Sequence, residues 1–99
     1  MRTNLNELNL NLLRQAEPLV TEIRGEKANR KLSSKKQLRW GSAGSFSLEL
    51  IGHKAGLWYD FEESRGGNLL QLIQYECCGG NFGEAVEWAK RWLGWSPND

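Results

Sequence analysis

Cysteine is scarce in this chain, and its two cysteines, Cys77 and Cys78, are adjacent. Neighbouring cysteines do not staple distant segments, so a secreted disulfide scaffold is excluded. No apolar run approaches membrane-spanning length, and the first residues carry no signal-peptide core, so an intracellular, cytoplasmic chain is expected. Net charge of one sign is also lacking, at +1 formally. Phosphate-cradling glycine loops, nucleophile–base pairs and a catalytic lysine context are missing as well, which excludes the common routes to an active site.

What the chain does have is bulk and a lopsided charge distribution. Its 99 residues make one domain. A domain of this size buries roughly 60–65% of its unfolded surface and needs large side chains to do so. Five Trp, three Phe and two Tyr supply them. Arg24, Lys27, Arg30, Lys31, Lys35, Lys36 and Arg39 face a single acid, Glu26, within their own stretch. From Glu49 to Glu87 the acids lead: Glu49, Asp60, Glu62, Glu63, Glu76, Glu84 and Glu87 against Lys54 and Arg65. A basic pole of this kind attracts phosphates even on a nearly neutral chain. Its bland counterpart is a solvated loop.

Leu5, Leu8, Leu12, Leu13 and Ala16 recur at helical spacing and predict a helix over residues 5–17, capped by Asn4 or Asn6 and ended or bent by Pro18. Residues 24–36 have no apolar period and read as a mobile basic loop. Residues 37–41, 45–51 and 57–61 read as three strands. The clearest is Ser45–Ile51, where Phe46, Leu48 and Leu50 alternate with Ser45, Ser47 and Glu49. Residues 52–56 form the hairpin connection and 62–67 a turn. Asn68 caps a helix that ends at Gly79–Gly80. Asn81 caps a second, which Gly94 stops, with Pro97 beyond. The expected fold is α+β, a three-stranded antiparallel sheet with an N-terminal helical segment over 1–23 and two C-terminal helices within 68–94.

Several local motifs occur together in this order. Ser45-Phe46-Ser47 opens a strand, Trp58-Tyr59-Asp60-Phe61-Glu62-Glu63 follows the hairpin, and Gly66-Gly67-Asn68 leads into an amphipathic helix. With residues 80–94, GNFGEAVEWAKRWLG, these resemble the zinc-binding-type N-terminal domain of bacterial and phage DNA primases, over about residues 36–94. The resemblance is to a form without zinc. It sets the two knuckle cysteines of that family on Asp60 and Glu63, and its earlier Cys and His near Lys36 and Arg39. Structural zinc takes four thiolate or imidazole ligands, and His53 with Cys77 and Cys78 does not close such a site. No cofactor is therefore expected. The same alignment suggests that an Arg39–Asp60 or Lys36–Glu63 ion pair replaces the metal, with Trp40, Phe46, Trp58 and Phe61 as the aromatic core.

The resemblance implies a non-catalytic, nucleic-acid-binding module of a phage or plasmid replication system. Its partner would be single-stranded DNA, with RNA the alternative, beside a primase or helicase domain in cis or in trans. Arg30, Lys31, Lys35, Lys36 and Arg39 are the candidate backbone-tracking residues. Tyr59 or Trp40 is the candidate stacking ring, since bases stack on aromatic faces. Trp88 and Trp92, four apart, read as core. The rival reading is a protein-docking module whose acidic surface, from Glu62 to Glu87, meets a basic partner.

Overall fold

The computed structural model describes residues 3–95, and Pro97 lies outside the described residues. Two helices come first, α1 (Leu5–Arg14) and α2 (Ala16–Arg24). Four strands follow: β1 (Gln37–Trp40), β2 (Phe46–Glu49), β3 (Trp58–Asp60) and β4 (Arg65–Gly67). Helices α3 (Leu69–Cys77) and α4 (Phe82–Leu93) complete the chain. The strands form one antiparallel meander in the order β1-β2-β3-β4.

Two expectations change here. The N-terminal segment is two helices, because the chain breaks at Gln15 and Pro18 falls in the first turn of α2. The first four N–H groups of a helix have no intrahelical partner, so proline costs nothing there and does not end the helix. The sheet has four strands, since the expected turn at 62–67 closes by Ser64 and residues 65–67 pair back on β3. Three residues, two of them glycine, carry no alternation from which a strand can be read.

Local capping defines the helices. Asn4 accepts from the Glu7 N–H at 3.1 Å, and Asn81 from that of Glu84 at 2.9 Å. Asn68 and Gln71 form a reciprocal capping box with both bonds at 2.8 Å. Gly94, at φ 79°, ends α4 in the left-handed conformation.

The helices cover one face of the sheet. Leu38 and Trp40 of β1, Phe46 and Leu48 of β2, and Trp58 of β3 point into the core beside Leu8, Leu12, Leu19, Leu70 and Ile73. Phe46 stacks on Trp58 at 5.5 Å between centroids and meets Trp40 edge-on at 5.8 Å. The two indole N–H groups are satisfied, Trp58 by the Asn68 carbonyl at 2.6 Å and Trp40 by the Thr21 hydroxyl at 3.4 Å. Trp88 and Trp92 pack partly buried against this core.

The basic stretch is fastened to the outer edge of β1. The Asn29 N–H donates to the Arg39 carbonyl at 2.6 Å, and that of Ser34 to the Gln37 carbonyl at 2.8 Å. The Ser33 hydroxyl accepts from the Arg39 N–H at 2.9 Å. Residues 29–34 therefore run as a hydrogen-bonded cover along β1, not as the free loop expected from composition.

Candidate nucleic-acid interface

Side chains alternate across a strand, so the residues between the core positions share the other face of the sheet. Strand pairing aligns Arg39, Ser47, Tyr59 and Gly66 in one row across that face. No helix covers it. Tyr59 is 40% exposed, and Phe61, two residues on, is 57% exposed. Their rings meet edge to face at 4.8 Å between centroids. The Arg39 guanidinium lies 5.5 Å from the Phe61 centroid. Ser47, at the middle of the row between Arg39 and Tyr59, is 7% exposed.

A glycine keeps this surface flat. A Cβ on Gly66 would stand 2.5 Å from the Trp58 carbonyl oxygen and 2.9 Å from the Tyr59 ring. Only a residue without a side chain lets β4 lie this close to β3 beneath the Tyr59 ring.

A hydrogen-bonded relay orients Arg39. Its Nε donates to the Gln37 side-chain oxygen at 2.7 Å, and its Nη1 to the Gly44 carbonyl at 2.9 Å. The Gln37 amide nitrogen donates in turn to the Glu49 carboxylate. Gln37 and Glu49 are cross-strand partners.

The predicted site residues divide. Arg39 and Tyr59 come together on the open face. Lys31, Lys35 and Lys36 are exposed on the β1 side, and no carboxylate pairs with them among the described residues. Arg30 is exposed but turns to α2 and pairs with Glu17. Trp40 is no stacking platform: it is fully buried, because it alternates in phase with Leu38 on the core side of β1. Phe61 is the converse case, expected in the core and found on the surface. It follows Tyr59 at the strand period of two, which was the signal available in the sequence.

Neither expected ion pair forms. Asp60 is directed to the core side, and its partner is Arg24 at the end of α2, 3.9 Å away. The other Asp60 oxygen accepts the Glu62 and Glu63 N–H groups at 2.9 and 3.2 Å, fixing the turn into β4. Arg24 also lies over the Phe46 ring at 4.6 Å. Arg39 is engaged in its own relay, and Glu63 is exposed. No group of three or more His, Cys, Asp or Glu side chains is placed to hold a metal among the described residues.

The thiols lie elsewhere, at the α3–α4 junction. Burial pushes the Cys77 thiol above its ordinary range, and Cys78, Glu76 and Glu22 add to the shift. Burial and Glu84 raise Cys78, against an opposing pull from Arg91. Thiols shifted in this direction are poor nucleophiles at neutral pH.

Comparison with known proteins finds no family model, no curated protein and no solved structure that matches the chain. No helix among the described residues is long and apolar enough to cross a membrane.

Proposed function

We propose that the open sheet face binds single-stranded nucleic acid, with Tyr59 and Phe61 as stacking rings and Arg39 beside them. The observation that carries the reading is the exposed aromatic pair on an uncovered sheet, next to an oriented arginine. Isolated exposed rings are ordinary on a protein surface. Two in contact and in reach of a guanidinium, on a chain whose Lys31, Lys35 and Lys36 are exposed, match what single-strand binding requires. Bases stack on the rings for about 1–3 kcal/mol each, while cations follow the phosphates.

In the setting that the motif resemblance implies, this is template DNA during primer synthesis or mobile-element replication. The chain itself contributes no catalytic step, and a primase or helicase domain acts beside it. Fluorescence anisotropy of labelled oligo-dT across a salt series tests the reading. Binding that weakens steeply with salt, and drops at least tenfold in Tyr59→Ala/Phe61→Ala, is the expected result. A folded protein that binds no oligonucleotide at low salt would retire it.

One observation favours a second reading. Cys77, Asn81, Glu84, Glu87, Trp88 and Arg91 line a groove between α3 and α4, with Phe82 exposed at the start of α4. Glu84 and Glu87 outnumber Arg91 there and suit a basic protein partner, and pull-down of such a partner by a chain that ignores oligonucleotides would favour this alternative.

A further inference from the structure

Arg39 is held too firmly for a merely solvated surface charge. Gln37 and Gly44 take one donor on Nε and one on Nη1, and Gln37 is itself fixed by Glu49. Among the described residues no acceptor takes the Nη2 donors. The result is a planar fork, pinned at one side, with its remaining N–H groups free. A fixed fork loses little conformational freedom on engaging a ligand, and it suits planar bidentate partners better than a lysine does.

The surroundings restrict the ligand. Arg39 shares a pocket of about 260 Å³ with Leu32, Gln37, Ala43 and Gly44, and its guanidinium also lies over Phe61. Pockets for whole ligands run to roughly 300–1,000 Å³, so this one has the size of a subsite. A base seated against Leu32 in this pocket meets the guanidinium. Arginine has donors only. In an unpaired strand guanine presents two adjacent acceptors, O6 and N7, on its Hoogsteen edge, and cytosine presents O2 and N3 on its Watson–Crick edge. Adenine sets its amino donor beside N1 and N7, and thymine sets its N3–H between its two carbonyls.

We infer that Arg39 selects a base with two adjacent acceptors, guanine or cytosine, in the bound strand, with Gln37 and Glu49 as its positioning residues. The inference rests on the reading of this face as a nucleic-acid surface. Lys31, Lys35 and Lys36, exposed on the loop side, are left for the phosphates.

The test is anisotropy with the whole chain and five probes. These are a short oligo-dT, and the same oligo with adenine, cytosine, guanine or 7-deazaguanine at its central position. Guanine and cytosine are expected to bind at least fivefold, and up to on the order of a hundredfold, tighter than thymine or adenine. The 7-deaza analogue, which lacks the N7 acceptor, loses most of that gain on the unmodified protein, so the result does not depend on any variant folding. Arg39→Lys, its fold checked by near-ultraviolet circular dichroism of the tryptophan core, erases the preference. If Arg39→Lys instead weakens every probe alike and no probe is preferred, the arginine binds phosphate. The base assignment then falls while the nucleic-acid reading stands. No binding of any probe at low salt by the folded chain overturns both.

Discussion

Arg24, the last residue of α2, holds its guanidinium 3.9 Å from the carboxylate of Asp60, the last residue of β3. This contact ties the N-terminal helices to the sheet near the turn into β4. Asp60 is 9% exposed and also anchors two N–H groups of that turn. Without Arg24 the largely buried carboxylate keeps its two turn N–H groups but loses its cation, which costs more than the pair itself contributes. Arg24→Ala is therefore expected to destabilise the fold by about 1–3 kcal/mol, whereas Arg39→Ala, at the open face, costs about 1 kcal/mol or less. Urea denaturation of both variants checks this, and equal midpoints would remove Arg24 from the role.

The buried and exposed aromatics should separate cleanly in stability. Trp40→Ala is expected to cost about 3–5 kcal/mol, as large-to-small changes in a packed core do. Tyr59→Ala and Phe61→Ala should stay within about 1 kcal/mol while reducing oligonucleotide binding. Thermal melts run beside anisotropy read both quantities. A Phe61→Ala variant as unstable as Trp40→Ala would return Phe61 to the core.

Much of this arrangement was legible where the signal was local. Asparagine caps at 4, 68 and 81, the alternation through Phe46 and Leu48, and Gly94 as a stop all act within a few residues, and all are found as read. Long-range placement was not legible. Arg24 meets Asp60 only because α2 continues past Pro18, and proline in a first turn looks the same in sequence as proline at an end. Nearness to the lysines points to Trp40 as a surface ring, although its phase with Leu38 argues for the core. The bulk a small core needs points Phe61 inward, against its phase with Tyr59. The β4 strand left no pattern, since Gly66 is selected by the space under the Tyr59 ring and not by hydrophobic alternation.

Gly66→Ala tests that space. The new methyl group would stand 2.5 Å from a backbone oxygen, an approach that side-chain rotation does not relieve. A loss of about 1–3 kcal/mol is expected, the range for overpacking. Binding should fall as well, because Tyr59 must tilt away from β4. An unchanged urea midpoint would show that β4 moves aside freely.

The basic residues should differ from one another. If Lys31, Lys35 and Lys36 each neutralise a phosphate, replacing all three with Ala lowers the slope of log affinity against log salt by roughly 2, from about 0.7 per contact on single strands. Arg30→Ala should change it far less, because Arg30 already pairs with Glu17. A larger effect from Arg30 than from the three lysines together would reverse the assignment.

The thiols supply a pH prediction. Folded-state values raised above the ordinary range keep Cys77 and Cys78 protonated at neutral pH. Alkylation by iodoacetamide should therefore be slower than that of glutathione near pH 7 and should climb only as pH rises past the usual thiol range. Stability carries the same sign. The raised values favour the folded state below the unfolded thiol pKa, and that contribution fades as pH rises through the folded one. A reaction midpoint at or below that of glutathione would contradict both statements.

The cover of residues 29–34 along β1 bears on how this protein behaves in company. An unpaired strand edge is a template on which another chain adds its own backbone. Here the Arg39 and Gln37 carbonyls that would recruit such a chain already accept from Asn29 and Ser34. The opposite edge, β4, is three residues long and holds two glycines. Self-association by sheet extension is thereby blocked on one side and given almost no length on the other. Exposed rings can then remain on the open face without seeding fibrils, so stickiness toward a ligand is separated from stickiness toward the next copy of the chain.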